Sequence, residues 1–189
     1  DGGWLVEGDV DMCRADAVIA TPAPPVLAGM IGHWASPAYL ARLTGIAYLA
    51  NLCLVLELDR PLGATYWLNV NDPSFPFVGV IEHTNFQDPA HYGGRHVVYL
   101  SRYLPQDDRL LSLGDAEVLD FALPHLQRMF PEFQASWILR HHVWRADWAQ
   151  PLVERNYSAL IPPEDGPLPG LHLCSMAQIY PEDRGTNYA

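Results

Sequence analysis

The chain has 189 residues, 49% of them hydrophobic, which suffices for a folded domain with a real core. Its formal net charge of −11, from 11 basic against 22 acidic residues, argues against a nucleic-acid partner, because phosphate-backbone binding needs clustered cations. No run of about 18 apolar residues occurs, so no membrane span is expected.

Taken in chain order, the stretch from Gly3 reads as a hairpin leading into a buried strand over Ala15 to Ala20. That apolar run is too short for a helix and is bounded by Asp16 and a proline cluster. A tight loop follows at Thr21 to Pro25. Two short helices are expected next, near Pro25 to Ile31 and Ser36 to Leu43, each with Pro in its first turn and the second with Ser36 as N-cap. From Gly45 to Tyr103 the pattern changes to β. Segments 46–59, 64–71, 75–86 and 95–104 are apolar, separated by Pro, Gly, Asn and Asp clusters, and four strands in sequence predict an antiparallel sheet. Asp115 then opens a helix to Phe130, with Val118, Leu119, Ala122, Leu126 and Met129 on one face and a kink expected at Pro124. A strand over 136–144, a proline-rich loop over 161–170 and a last short strand over 171–177 complete the chain. Pro181, Glu182 and Asp183 have the composition of a helix's first turn, yet the sequence ends at Ala189. A helix start with so little behind it predicts that these residues belong to a longer protein.

Few motifs carry chemistry by themselves. Cys13, Cys53 and Cys174 are odd in number and lack CxxC spacing, which fits a reducing, cytoplasmic compartment and three free, mostly buried thiols. None of the eight histidines pairs at HExxH spacing, and His141 and His142 are adjacent on a strand, so no metal site is expected. Nucleophile elbows, P-loops and GxGxxG are absent. Glu82, His83, Thr84 and Asn85 stand consecutively in an otherwise apolar strand, and alternation puts His83 and Asn85 on one face of it. Spacing alone reads them as a solvated strand end; the functional reading is a polar patch roofing a ligand cavity. Tyr66, Trp67, Tyr99, Tyr103, Trp137 and Trp144 divide likewise between core and cavity wall.

Two segments bear on that choice. "RADAVIATPAP", Arg14 to Pro24, and "GLHLCSMAQIYPEDRGTNYA", Gly170 to Ala189, together resemble the FAD-dependent amine oxidase superfamily, which includes protoporphyrinogen oxidase and phytoene desaturase relatives. The resemblance implies that 14–24 and 170–189 return from a substrate domain to a flavin domain. It implies FAD as cofactor, with Thr21, Pro22, Met176, Asp183, Arg184, Gly185, Thr186 and Asn187 near it. The unpaired N–H groups of a helix start suit a flavin carbonyl or a phosphate. Ser175 and Met176 stand where many relatives have Gly-Asp, and the glycine motif for the ADP half is missing. That motif would belong to an N-terminal FAD-binding domain.

The expected fold is therefore α+β: a curved, mostly antiparallel sheet with helices packed on it, forming over 1–189 the single substrate-side domain of a two-domain flavoprotein. Its implied activity is transfer of a hydride from an organic substrate to flavin, with His83, Asn85 and Tyr99 in the substrate cavity and the isolated chain inactive. Two alternatives differ in class. A flavin-dependent, non-redox sugar-nucleotide mutase similar to UDP-galactopyranose mutase would need paired arginines for a diphosphate, and Arg95 and Arg102 fall on opposite faces of one strand. A stand-alone ligand-binding module would need a complete gene of this length.

Overall fold

A computed structural model describes residues 3–182 of the chain. Its strands are β1 (Trp4–Glu7), β2 (Met12–Ala15), β3 (Val18–Ala20), β4 (Tyr48–Leu58), β5 (Trp67–Asn69), β6 (Gly79–Glu82), β7 (His96–Leu104), β8 (Ile138–Pro151) and β9 (Leu171–Leu173). The α-helices are α1 (Pro24–Ile31), α2 (Pro37–Thr44) and α3 (Asp115–Met129). Two compact units result: Leu49–Gln150 forms one, and the segments before and after it form the other. The architecture is α+β.

The central unit is built on a five-stranded sheet of order β5-β6-β7-β4-β8, in which β5–β6, β6–β7 and β7–β4 pair antiparallel. Strict alternation along β4 decides its two faces. Ala50, Leu52, Leu54, Leu56 and Leu58 are buried, while Asn51, Cys53, Val55 and Glu57 between them are only partly so. The leucines form one core with Val98 and Leu100 of β7 and with Val118, Ala122 and Leu126 of α3, whose spacing of four keeps them on one stripe. Each such leucine, fully buried, contributes roughly 2 kcal/mol of transfer free energy. α3 begins at Asp115 itself, with Gly114 rather than Asp115 as N-cap, and Glu117 accepts the Gly114 N–H at 2.8 Å. Pro124 lies inside the helix.

The terminal unit joins both ends of the sequence. β3 and β9 pair in parallel, Val18 with Leu171 through Ala20 with Leu173. α1 and α2 cover them through Leu27, Ala28, Ile31 and Leu43. The Ser36 hydroxyl caps α2 by accepting the Tyr39 N–H at 3.3 Å. A second cluster joins Ile46, Tyr48, Tyr157 and Ala177, and the buried Tyr157 hydroxyl donates to the Ala177 carbonyl at 2.7 Å.

Several expectations are corrected. The strand expected over Ala15 to Ala20 is only Val18–Ala20, and Ile19 is 67% exposed rather than buried, because parallel pairing with β9 leaves its outer side uncovered. The strand expected over 75–86 ends at Glu82, and His83–Asn85 turn into a 3-10 helix, so the alternation placing His83 and Asn85 on one sheet face does not hold. β8 continues to Pro151, well past Trp144. β9 ends at Leu173, and Met176–Gln178 form a 3-10 turn instead of strand. Cys13 is exposed, since its hairpin carries little apolar cover, whereas Cys53 and Cys174 are half-buried.

Candidate functional site

The face of the central sheet opposite α3 is where apolar side chains meet solvent. Cross-strand partners share a face. Register therefore aligns Trp67 with Ile81, Ile81 with Tyr99, and Tyr99 with Val55, while Asn51 pairs with Tyr103 and Cys53 with Ser101. On β8, Val143 packs into the core and Arg145 reaches Leu113 and Asp115, so His142 and Trp144 take the other face. Trp67, Tyr103 and Trp144 are 53%, 45% and 66% exposed. This is a broad aromatic wall with a few polar groups set into it, the general composition of a small-molecule site. Of the aromatics singled out in the sequence, Trp137 instead packs against Phe133 in the core cluster and under the Arg60 guanidinium.

His83 and Tyr99 come together at one edge of that wall. Their rings meet edge to face at 5.8 Å, and His83 Nε2 lies 2.6 Å from the Tyr92 hydroxyl. Burial, followed by the neighbouring Tyr92, Cys53 and Tyr66, pushes the Tyr99 hydroxyl above its ordinary pKa, so it stays a neutral donor. Asn85 does different work. Its amide donates to the Gly63 and Thr65 carbonyls at 3.0 and 3.2 Å, fixing the loop before β5. Glu82 carries the other half of that loop, accepting the Leu62 and Gly63 N–H groups at 2.8 and 3.0 Å. Sequence reading saw Glu82 only as one of four polar residues; a carboxylate at the buried end of a strand is the signal that it has fixed partners.

On the same face, two residues along β4 from the Val55 that pairs with Tyr99, Glu57 accepts from Arg95 at 2.6 Å and lies 3.4 Å from His142 Nε2. Partial burial pushes its carboxyl up, but the hydrogen bonds from Arg95 and His142 and the charges of Arg95 and Arg140 outweigh this and hold it below the usual range. A depressed carboxyl stabilises the fold above its unfolded pKa and loses that contribution as pH falls through its folded value. Glu57→Gln is therefore expected to cost less than about 1 kcal/mol near neutrality, because solvent screens the half-exposed Arg95, and the cost should vanish in acid. Urea unfolding of both proteins across that range checks it; a difference that grows in acid would contradict it. Arg102, the other arginine considered as a partner of Arg95, stands in register with core-facing Leu52.

The C-terminal ends of the parallel pair form the second candidate region. Cys174 N–H donates to the Ala20 carbonyl at 2.9 Å, so the chain leaving β3 through Thr21 and Pro22 runs beside the chain leaving β9 through Cys174 and Ser175. Thr21 is exposed, and Pro22 and Met176 are half-buried. Crevices outside the carboxyl ends of parallel strands are where ligands bind in open α/β sheets. Here a cleft of about 500 Å³ is lined by Ile19, His172, Cys174, Ser175, Gln178 and Ile179, among others. Gln178 holds the turn, its side chain accepting the Ser175 N–H at 2.8 Å. The Ser175 hydroxyl is only 6% exposed as a residue and has no hydrogen-bond partner among the described residues. An orphaned buried hydroxyl costs about 1–3 kcal/mol and points to a partner. Asp183, Arg184, Gly185, Thr186 and Asn187 lie outside the described residues.

This α+β arrangement is a fold shared with solved oxidases and a mutase. A protein described as a protoporphyrinogen oxidase from Exiguobacterium sp. 255-15 matches with a TM-score of 0.64 at 14% identity, over 94% of this chain and 40% of its own. Cyclohexylamine oxidase from Brevibacterium oxydans IH-35A matches at 0.59 and 14% identity, over 94% and 40%. Reduced UDP-galactopyranose mutase matches at 0.57 and 13%, over 79% and 33%. The chain thus spans two fifths or less of each. The model of the flavin containing amine oxidoreductases matches residues 2–182, and the chain belongs to that family. No curated protein matches the sequence. Among the described residues no helix is long and apolar enough to cross a membrane.

Proposed function

We propose that the chain is the substrate-side portion of an FAD-dependent oxidoreductase that removes a hydride from a small organic substrate, its FAD-binding domain lying outside this sequence. The observation that carries the reading is the parallel pairing of β3 with β9. The two segments that resemble flavin-returning strands, far apart in sequence, emerge side by side and end at one cleft. Thr21, Pro22, Ser175 and Met176 are the described residues that would approach the cofactor there, and the reading extends to Asp183–Asn187. Flavin fits this place on chemical grounds, since its ring edge offers acceptors and a donor to a hydroxyl that otherwise has no partner. When bound, the flavin supplies the hydride acceptor, the redox part of the chemistry.

The chain's own residues have three tasks in this reading. The aromatic wall of Trp67, Tyr99, Tyr103 and Trp144 excludes water and receives the apolar body of the substrate. His83, held by Tyr92, positions a ring nitrogen and a hydroxyl at the wall's edge, where they can orient a polar substrate group. Asn85 and Glu82 fix the loop that carries Tyr66 and Trp67. The mutase alternative loses its arginine pair, because Arg95 meets Glu57 while Arg102 pairs in register with a core leucine.

Ser175→Ala tests the reading through two measurements of opposite sign. In the isolated chain, removing an unpartnered buried hydroxyl should stabilise by about 1 kcal/mol. In the longer protein that carries the FAD-binding domain, the same change should lower bound flavin per protein by absorbance, roughly fivefold for one lost hydrogen bond. Unchanged flavin loading in a folded variant would remove Ser175 from the site, and a stoichiometric yellow flavin in the isolated chain would overturn the division of labour.

A further inference from the structure

The His83 imidazole is held between two phenol rings. It stands edge to face with Tyr92 at 5.3 Å and 88° and with Tyr99 at 5.8 Å and 86°. The backbone around it is fixed as well. The His83 carbonyl accepts the Phe86 and Gln87 N–H groups at 3.0 Å, and the neighbouring Thr84 hydroxyl accepts the Val97 N–H of β7 at 3.1 Å. Tyr92 closes a 3-10 turn, Pro89–Tyr92, in which Asp88 accepts the Ala90 N–H at 2.8 Å. Gly93 follows with φ of 66°, a left-handed conformation that glycine adopts without strain, and Gly94 N–H then donates to the Pro89 carbonyl at 2.9 Å.

This frame brings His83 Nε2 to 2.6 Å from the Tyr92 hydroxyl. That separation is shorter than the usual range of an N–H donor and lies inside the range of a hydroxyl donor, so the phenol gives its hydrogen to a bare Nε2. In a neutral imidazole the bond made at one nitrogen decides which nitrogen carries the proton, and here it falls to Nδ1. His83 Nδ1 has no hydrogen-bond partner among the described residues, and neither has the half-buried Tyr99 hydroxyl. Burial pushes that hydroxyl above its ordinary pKa, so it keeps its proton.

We propose that Tyr92 is a positioning residue that holds His83 as the Nδ1–H tautomer, so that the edge of the wall offers two donors, His83 Nδ1–H and Tyr99 O–H, to a carbonyl oxygen on the apolar body of the substrate. The proposal rests on the sheet face being the substrate wall. A carbonyl oxygen has two lone pairs and can take both donors, whereas an amine presented as a donor finds no bare ring nitrogen there. The acceptor is neutral because Arg95, the arginine that lines a cleft with Tyr92, is already paired with Glu57.

The test follows the His83 side-chain nitrogens in nitrogen-15 spectra of the 189-residue chain, at a pH where the ring is neutral, with His83→Gln assigning the signals. Nδ1 is expected at the protonated position and Nε2 at the bare one, a result read without altering Tyr92. Tyr92→Phe keeps the ring contact and removes only the hydroxyl, so part of the His83 population should move its proton to Nε2. A merely structural tyrosine would leave it in place. Acetophenone, a carbonyl on an apolar ring, should shift His83 and Tyr99 saturably, and ethylbenzene, which lacks the oxygen, should bind roughly fivefold more weakly. Tyr92→Phe should weaken acetophenone by a similar factor and leave ethylbenzene unchanged. A wild-type ring protonated on Nε2, an unmoved proton in Tyr92→Phe, or equal binding of the two compounds would each overturn the proposal. None of these readouts involves flavin. A failure here leaves the flavin reading standing, and unchanged flavin loading in Ser175→Ala leaves the His83 tautomer unaffected.

Discussion

Replacing Glu82 by Ala is expected to destabilise the central unit by about 3 kcal/mol, among the larger effects for a residue outside the leucine core. Two backbone N–H groups, of Leu62 and Gly63, point at its two carboxylate oxygens, and Ala leaves both without a partner in a partly buried loop. Glu82→Gln should cost about half as much, since its amide oxygen retains one N–H while its NH₂ faces the other. The pH dependence has the opposite sign to that of Glu57. Burial pushes the Glu82 carboxyl up, more than the Leu62, Gly63 and Asn85 hydrogen bonds and His96 pull it down. A raised carboxyl contributes stability that is full below the unfolded pKa and declines as pH rises through the folded value. Urea unfolding across the acid range should therefore show the gap between wild type and Glu82→Ala widening in acid. A gap that closes there would mean the carboxyl is not held as described.

How much of this was legible in the sequence follows from the range of the interactions involved. The alternation of β4, the helical stripe of α3 and the Ser36 cap are local, and each is readable within a few residues. The end of β6 was missed for the same reason that Glu82 was undervalued. Its partners lie 19 and 20 residues earlier in an irregular loop, and no periodicity announces a carboxylate that satisfies someone else's backbone. Ile19 was misjudged because apolar character says that a side chain resists water, not which neighbour covers it. The aromatic wall was half visible. The residues could be named, but whether an aromatic on an alternating strand faces core or solvent depends on which face α3 takes, and that is a tertiary fact.

The resemblance of the two ends drew on two segments some 150 residues apart, and their meeting depends on one glycine. Gly170 sits immediately before β9 with φ of 77°, and its carbonyl accepts the Val18 N–H at 2.7 Å, the first bond between the two segments. A Cβ there would lie 3.0 Å from the Asp16 carbonyl oxygen and 3.1 Å from Trp4 Nε1, which itself donates to the Pro169 carbonyl. Gly170→Val adds a branched side chain to a left-handed backbone and presses it against a carbonyl that belongs to the other segment, so either the turn or the pairing must give. The expected cost is about 3 kcal/mol, with Gly170→Ala costing roughly half because it lacks the branch. The effect should be confined to the terminal unit. Hydrogen exchange is the measurement: the Val18, Leu173 and Cys174 amides should lose protection by a factor on the order of 100, while the Leu100 amide in the central sheet keeps its own. Equal loss at Leu100 would show that the two units unfold as one, and full retention at Val18 would show that the β3–β9 pair does not depend on this turn. In the longer protein the same variant should also shed flavin, because the ends of both strands would leave the cleft that Ser175 lines, and a folded Gly170→Val protein with wild-type flavin content would separate the strand pair from the cofactor.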